Sequence, residues 1–162
     1  MTAEIRNDII ATEHINAPPG IVFTYFTDPT LITTWIGDHA ELDPQPGGMF
    51  SLDMGQVAAL GTCLSIDPPH RVVFTWGIPG NATLPPGGST VQIVLTPDGE
   101  NTMVVLTHRG LTTTQLDTHR TGWQHQLGSR VFNSLYISDR PWYPNWTTES
   151  VAGVDLRRDG AA

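Results

Sequence analysis

The sequence predicts an α+β domain in which a curved antiparallel β-sheet wraps around one long C-terminal helix. Three observations carry this reading. In separate runs between residues 39 and 108, among them 39–43, 49–54, 89–97 and 101–108, apolar residues recur at every second position, the period of a strand. Turn signals rich in Pro, Gly and Asp separate those runs. Past Gly110 the period becomes helical, with Leu116, Trp123, Leu127, Val131 and Leu135 recurring at spacings of four and seven.

Taken in order, residues 5–15 mix β-branched and polar residues and read as a strand. Asn16 is the expected cap of a short helix, with Pro18 and Pro19 in its first turn, where a missing N–H costs little. Ile21, Val22, Tyr25 and Phe26 fall near one face of it. Asp28-Pro29 repeats the cap-and-proline pattern and opens a second short helix to about Trp35. Residues 39–43 alternate, 44–48 form a turn, and 49–54 alternate again with Phe50, Leu52 and Met54 on one face. Residues 57–66 are mostly apolar, and Gly61 within them suggests a bulge or bend. After the turn at 67–70, residues 71–76 read as a strand with Phe74 and Trp76 on one face. A Gly/Pro-rich loop fills 77–88. Residues 89–97 and 101–108 flank Asp98-Gly99 as a hairpin, aligning Val104, Leu106 and His108 on one face of its second arm.

The helix is expected from Thr113 to about Ile137, and it alone is long enough to cover the meander. Beyond it, Arg140-Pro141-Trp142-Tyr143-Pro144-Asn145-Trp146 cannot form a regular helix. The expected organisation is one domain over 1–137 and an irregular, aromatic-containing tail over 138–162, whose Trp142, Tyr143 and Trp146 could plug a pocket mouth or form a dimer contact. A sheet gripping a helix leaves a gap between them, a place where small apolar ligands sit.

Composition narrows the partners. The 162 residues carry a net charge of −8, and all eight basic residues are arginines. Such a chain lacks the basic face that binds phosphates, so neither nucleic acid nor an anionic membrane surface is expected as a partner. Without lysine, a Schiff-base mechanism is excluded. The single cysteine, Cys63, permits no intrachain disulfide, and a reducing compartment fits. The N-terminus has no basic region followed by an apolar stretch, and no run is long enough to span a bilayer. A cytoplasmic location is therefore expected.

Several pieces spread over residues 9–135 resemble a known family. They are Ala17-Pro18-Pro19 with Val22-Phe23, Asp28-Pro29 before Trp35, and Asp43 followed by Pro46-Gly47-Gly48. Gly61 before Asp67-Pro68-Pro69, then Arg71–Trp76 and Ser89-Thr90-Val91, continue the order. Thr107-His108-Arg109-Gly110-Leu111 and Gly122-Trp123 with Leu127 complete it. The chain resembles the helix-grip superfamily (SRPBCC) of START lipid-transfer domains, the birch-pollen allergen and polyketide cyclases. Within it, the chain is similar to bacterial proteins related to the heat-shock protein 90 ATPase activator. The resemblance implies the helix-grip fold and no single reaction, since members include carriers, sensors, chaperone partners and cyclases. Full-length eukaryotic activators carry an additional N-terminal domain for which 162 residues leave no room, which counts against chaperone stimulation.

His108 is a candidate anchor or general base, against the plainer reading of a structural histidine at a strand end. His119 shares the helix stripe and could face His108 across a cavity. No metal site is expected: His119 and His125 diverge around the helix, no His-Glu-x-x-His or Cys-x-x-Cys occurs, and His39, Glu41 and Asp43 read as a solvated edge. No Gly-x-Ser-x-Gly, Gly-x-Gly-x-x-Gly or Walker motif appears, so neither serine hydrolysis nor a nucleotide cofactor is implied, and no cofactor is expected. Ser89 reads as loop-to-strand punctuation, Cys63 as a buried thiol and Arg109 as solvated. Trp35, Phe50, Met54, Phe74, Trp76, Leu106, His108, Trp123 and Leu127 are the expected ligand-lining set. The leading reading is a START-like binding protein for a small hydrophobic or aromatic ligand, not an enzyme. The alternatives are a cyclase- or aromatase-like enzyme using His108, with or without His119, and a module contacting a chaperone or its own copy as a homodimer.

Overall fold

Seven strands build one antiparallel sheet in the order β1-β7-β6-β5-β4-β3-β2. The structure, a computed structural model, describes residues 8–128. The strands are β1 (Ile9–Ile15), β2 (His39–Leu42), β3 (Met49–Asp53), β4 (Ala58–Asp67), β5 (Arg71–Trp76), β6 (Ser89–Asp98) and β7 (Asn101–Arg109). The helices are α1 (Pro19–Thr27), α2 (Pro29–Ile32) and α3 (Thr113–Leu127). This is the helix-grip arrangement that the sequence predicts, a curved sheet with the two short helices after the first strand and the long helix at the end. Residues 129–137 of the expected helix, and the whole tail 138–162, lie outside the described residues.

The strand period sets the core. Ile9, Ile15, Val91, Ile93, Leu95, Val104 and Leu106 all point inward and are buried. Each such side chain contributes about 1.5–3 kcal/mol relative to full exposure. α3 packs against β1, with Trp123 and Leu127 as its buried residues. Phe50 of β3 and Phe74 of β5 stack with centroids 4.0 Å apart.

Local chemistry explains the element ends, with some departures from expectation. Asp28 caps α2 by accepting from the N–H groups of Thr30 and Leu31, as expected. α2 ends at Ile32, and a turn carries the chain to Trp35, whose indole N–H donates to the Tyr25 carbonyl at 2.7 Å. Asn16 does not cap α1: the cap position is Pro18, with no side-chain acceptor. The irregularity expected at Gly61 is displaced towards Cys63. A Cβ on Gly61 would overlap the carbonyl oxygen of Thr75, so the glycine serves close approach of β4 to β5. The register shift of β4 falls between Cys63 and Ser65 instead. The hairpin turn sits one residue later than expected, since Asp98 pairs with Asn101 and Gly99 takes φ 64°. Among the described residues, no helix is long and apolar enough to cross a membrane.

Candidate functional site

His108 is fully buried at the end of β7, with Ser89 of β6 beside it and Trp123 of α3 above it. Its hydrogen bonds have a determined direction. The indole N–H of Trp123 can only donate, and it reaches His108 Nδ1 at 2.9 Å. Nδ1 therefore carries the lone pair. The Ser89 hydroxyl donates to the Trp76 carbonyl at 2.7 Å, which leaves its oxygen to accept from His108 Nε2–H at 2.8 Å.

The run continues through Trp76. Its indole N–H donates to His119 Nε2 at 3.2 Å, and His119 Nδ1–H donates to the Gln115 carbonyl at 2.9 Å. One chain of hydrogen bonds thus leaves α3 at Trp123, crosses β7, β6 and β5, and returns to α3 at His119. Each imidazole is held neutral and in a single tautomer. Burial, reinforced by the neighbouring His119, pushes the His108 pKa down to about 3. Burial also lowers that of His119, partly offset by its bond to the Gln115 carbonyl.

Beside this network lies a cavity of about 330 Å³. Ile36, Met54, Val57 and Ile78 form its apolar wall, and Trp76 and Trp123 form its floor. α3 supplies the remaining wall through Gln115, Thr118, His119, Gly122 and Gln126, a stripe along one helix face. Among the described residues, no charged side chain lines it.

The nine expected lining residues separate into three groups. Met54, Trp76 and Trp123 line this cavity. Trp35, Phe50 and Phe74 surround a void of about 10 Å³, room for one water. Leu106, His108 and Leu127 border neither. The two imidazoles do meet, with ring centroids 5.2 Å apart, but in edge contact and not across an open space. His119 lines the cavity and His108 does not. Met54 and Val57 place this cavity beside the β3–β4 turn, whereas Phe50, Phe74 and Trp123 pack around the small void.

Sequence reasoning missed Ser89, which turns the His108 ring into a fixed donor, and the helix stripe through Gly122. The signal for the stripe was present: 115, 118, 119, 122 and 126 share the face next to Trp123. Cys63 is buried, and its thiol is pushed up by burial and by Asp43, a weakly reactive setting. Arg109 is largely exposed and lies 3.6 Å from Asp8. His39 and Glu41 form an exposed pair on the edge strand β2. Among the described residues, no group of His, Cys, Asp and Glu could hold a metal ion.

Known structures share this architecture. PFC0360w, an HSP90 activator from Plasmodium falciparum, is 27% identical, the match covering 74% of this chain and 89% of that one with a TM-score of 0.63. CalU16 from Micromonospora echinospora is 28% identical over 82% of this chain and 76% of that one, with a TM-score of 0.64. The Aha1 dimer from Colwellia psychrerythraea, 16% identical, shares the fold over 82% of this chain and 98% of that one, with a TM-score of 0.69. No curated protein sequence matches the chain. A family model described as Activator of Hsp90 ATPase homolog 1-like protein matches residues 16–131. With that match over most of its length, the chain belongs to the Hsp90 ATPase activator homolog 1-like family of the SRPBCC superfamily.

Proposed function

We propose that this chain is a binding protein that takes one small, neutral, hydrophobic or aromatic molecule into the cavity beside α3. The observation that carries the reading is the cavity itself: about 330 Å³, with two indoles in its lining and no charged side chain there among the described residues. That volume lies at the lower end of small-molecule sites, which run from about 300 to 1,000 Å³. A charged ligand would lose part of its water and meet no opposite charge among the described lining residues, which favours a neutral ligand.

Chemistry on the ligand is a poorer fit. A general base needs an available lone pair within reach of substrate. The lone pair of His108 is taken by Trp123, and that of His119 by Trp76. A cyclase step would have to break one of these bonds first. A chaperone or self-association role draws support from the likeness to PFC0360w and to the Aha1 dimer, and not from the cavity.

Native mass spectrometry of the protein purified from its own host, followed by lipid and metabolite extraction, tests the reading. One neutral hydrophobic molecule per chain is the expected result. An empty chain that also takes up no neutral aromatic probe would move the assignment to protein interaction.

A further inference from the structure

We infer that Gly122 sets the size and shape of the ligand, and that the molecule it admits is a flat, fused-ring aromatic lying on the bared backbone of α3. This deepens the binding reading above and rests on it. Glycine is, after proline, the least favourable residue inside a helix. It is kept there when a neighbour must approach closely or when the backbone must adopt a left-handed conformation. Neither holds at Gly122. It lies within α3, and a Cβ built on it meets nothing within 4 Å among the described residues. Gly61 and Gly77 differ, since a Cβ on either would overlap backbone atoms of a neighbouring segment.

What lies over Gly122 is the cavity. On the lining stripe of α3, Gln115, Thr118, His119 and Gln126 all carry side chains, and only the position between them is bare. The Trp76 and Trp123 rings, with centroids 5.1 Å apart, line the same cavity, as do Met54 and Val57. Both indole N–H groups are bonded to histidines, so the rings offer surface and no donor to a ligand. A strip of bare backbone beside aromatic surface suits a planar molecule. Hydrogen bonding to its edge falls to Thr118 and Gln126, whose side chains line the cavity and have no bonded partner among the described residues.

Full-length protein and its Gly122→Ala and Gly122→Leu variants, titrated with 2-naphthol and with 4-methylphenol and followed by NMR, test this. The wild type is expected to bind both. Gly122→Leu is expected to weaken 2-naphthol by about tenfold or more, while 4-methylphenol changes by less than about threefold. Gly122→Ala is expected to raise Tm by about 2–4 °C, because helix propensity improves and nothing is displaced. Equal affinity of the wild type and Gly122→Leu for 2-naphthol would overturn the inference and leave the binding reading standing. So would a Gly122→Leu chain that does not fold, since it would deny the open space. A wild type that binds neither compound would overturn both.

Discussion

The indole N–H of Trp123 donates to Nδ1 of His108 at 2.9 Å, and that bond decides which ring nitrogen carries the proton. It also joins the terminal helix to the sheet at a point where both side chains are buried. Trp123→Phe keeps the ring and removes the donor. The buried Nδ1 is then unpaired, a loss of about 1–3 kcal/mol. Trp123→Ala, which also empties the ring's volume, should cost about 3–5 kcal/mol. Urea unfolding of the two variants reads both values. Wild-type stability in Trp123→Phe would show that the bond contributes nothing.

Ser89 joins two strands through one hydroxyl. Ser89→Ala leaves the His108 Nε2–H and the Trp76 carbonyl without their present partner. About 1–3 kcal/mol is expected for each group left unpaired. The hydroxyl does not line the cavity, so the affinity of the folded variant for an aromatic probe should stay at the wild-type value. A large loss of affinity with unchanged stability would place Ser89 in the binding site instead.

Acid should destabilise the fold before carboxylates protonate. His108 has a folded pKa near 3, against about 6.5 unfolded, so the unfolded state binds a proton that the folded state refuses. Stability is then full above pH 6.5 and falls as pH drops towards 3. Between pH 6.5 and 5, His108 alone should cost about 2 kcal/mol, and His119 shifts in the same direction. Urea midpoints that coincide at pH 7 and pH 5 would mean that the buried imidazoles ionise freely in the folded chain.

Gly61→Ala should destabilise the protein although it adds one methyl group. The new Cβ would overlap the Thr75 carbonyl, forcing β4 away from β5 at a cost of about 1–3 kcal/mol. Gly122→Ala is the internal comparison, because the same change there meets open space. Thermal melts of the two variants should move in opposite directions.

The contrast between these glycines marks the limit of what the sequence reveals. Alternation placed Phe74, Trp76, Val104, Leu106 and His108 on the inner face, since a two-residue period leaves little choice once one face is buried. Asp28-Pro29 announced its helix because capping is local chemistry. Gly61 suggests a bulge or bend from sequence, because period alone does not reveal a close approach; that answer lies in Thr75, a residue of the next strand. The meeting of His108 with His119 was legible from the helix stripe. That their lone pairs face indole donors, and that Ser89 fixes the other nitrogen, depends on three strands and a helix coming together. The expected lining set holds Trp35, Phe50 and Phe74 together with Met54, Trp76 and Trp123, because facing inward does not tell a pocket wall from packed core. Phe50 stacks on Phe74 in the core, and the cavity lies beside the β3–β4 turn at Met54 and Val57.

The most direct measurement is a methyl-resolved NMR titration of the full chain with 2-naphthol. Binding beside α3 predicts shifts concentrated on the methyl groups of Ile36, Met54, Val57 and Ile78, with Leu106 and Leu95 little changed. Shifts confined to other surfaces, or none at saturating probe, would contradict a ligand site in this cavity.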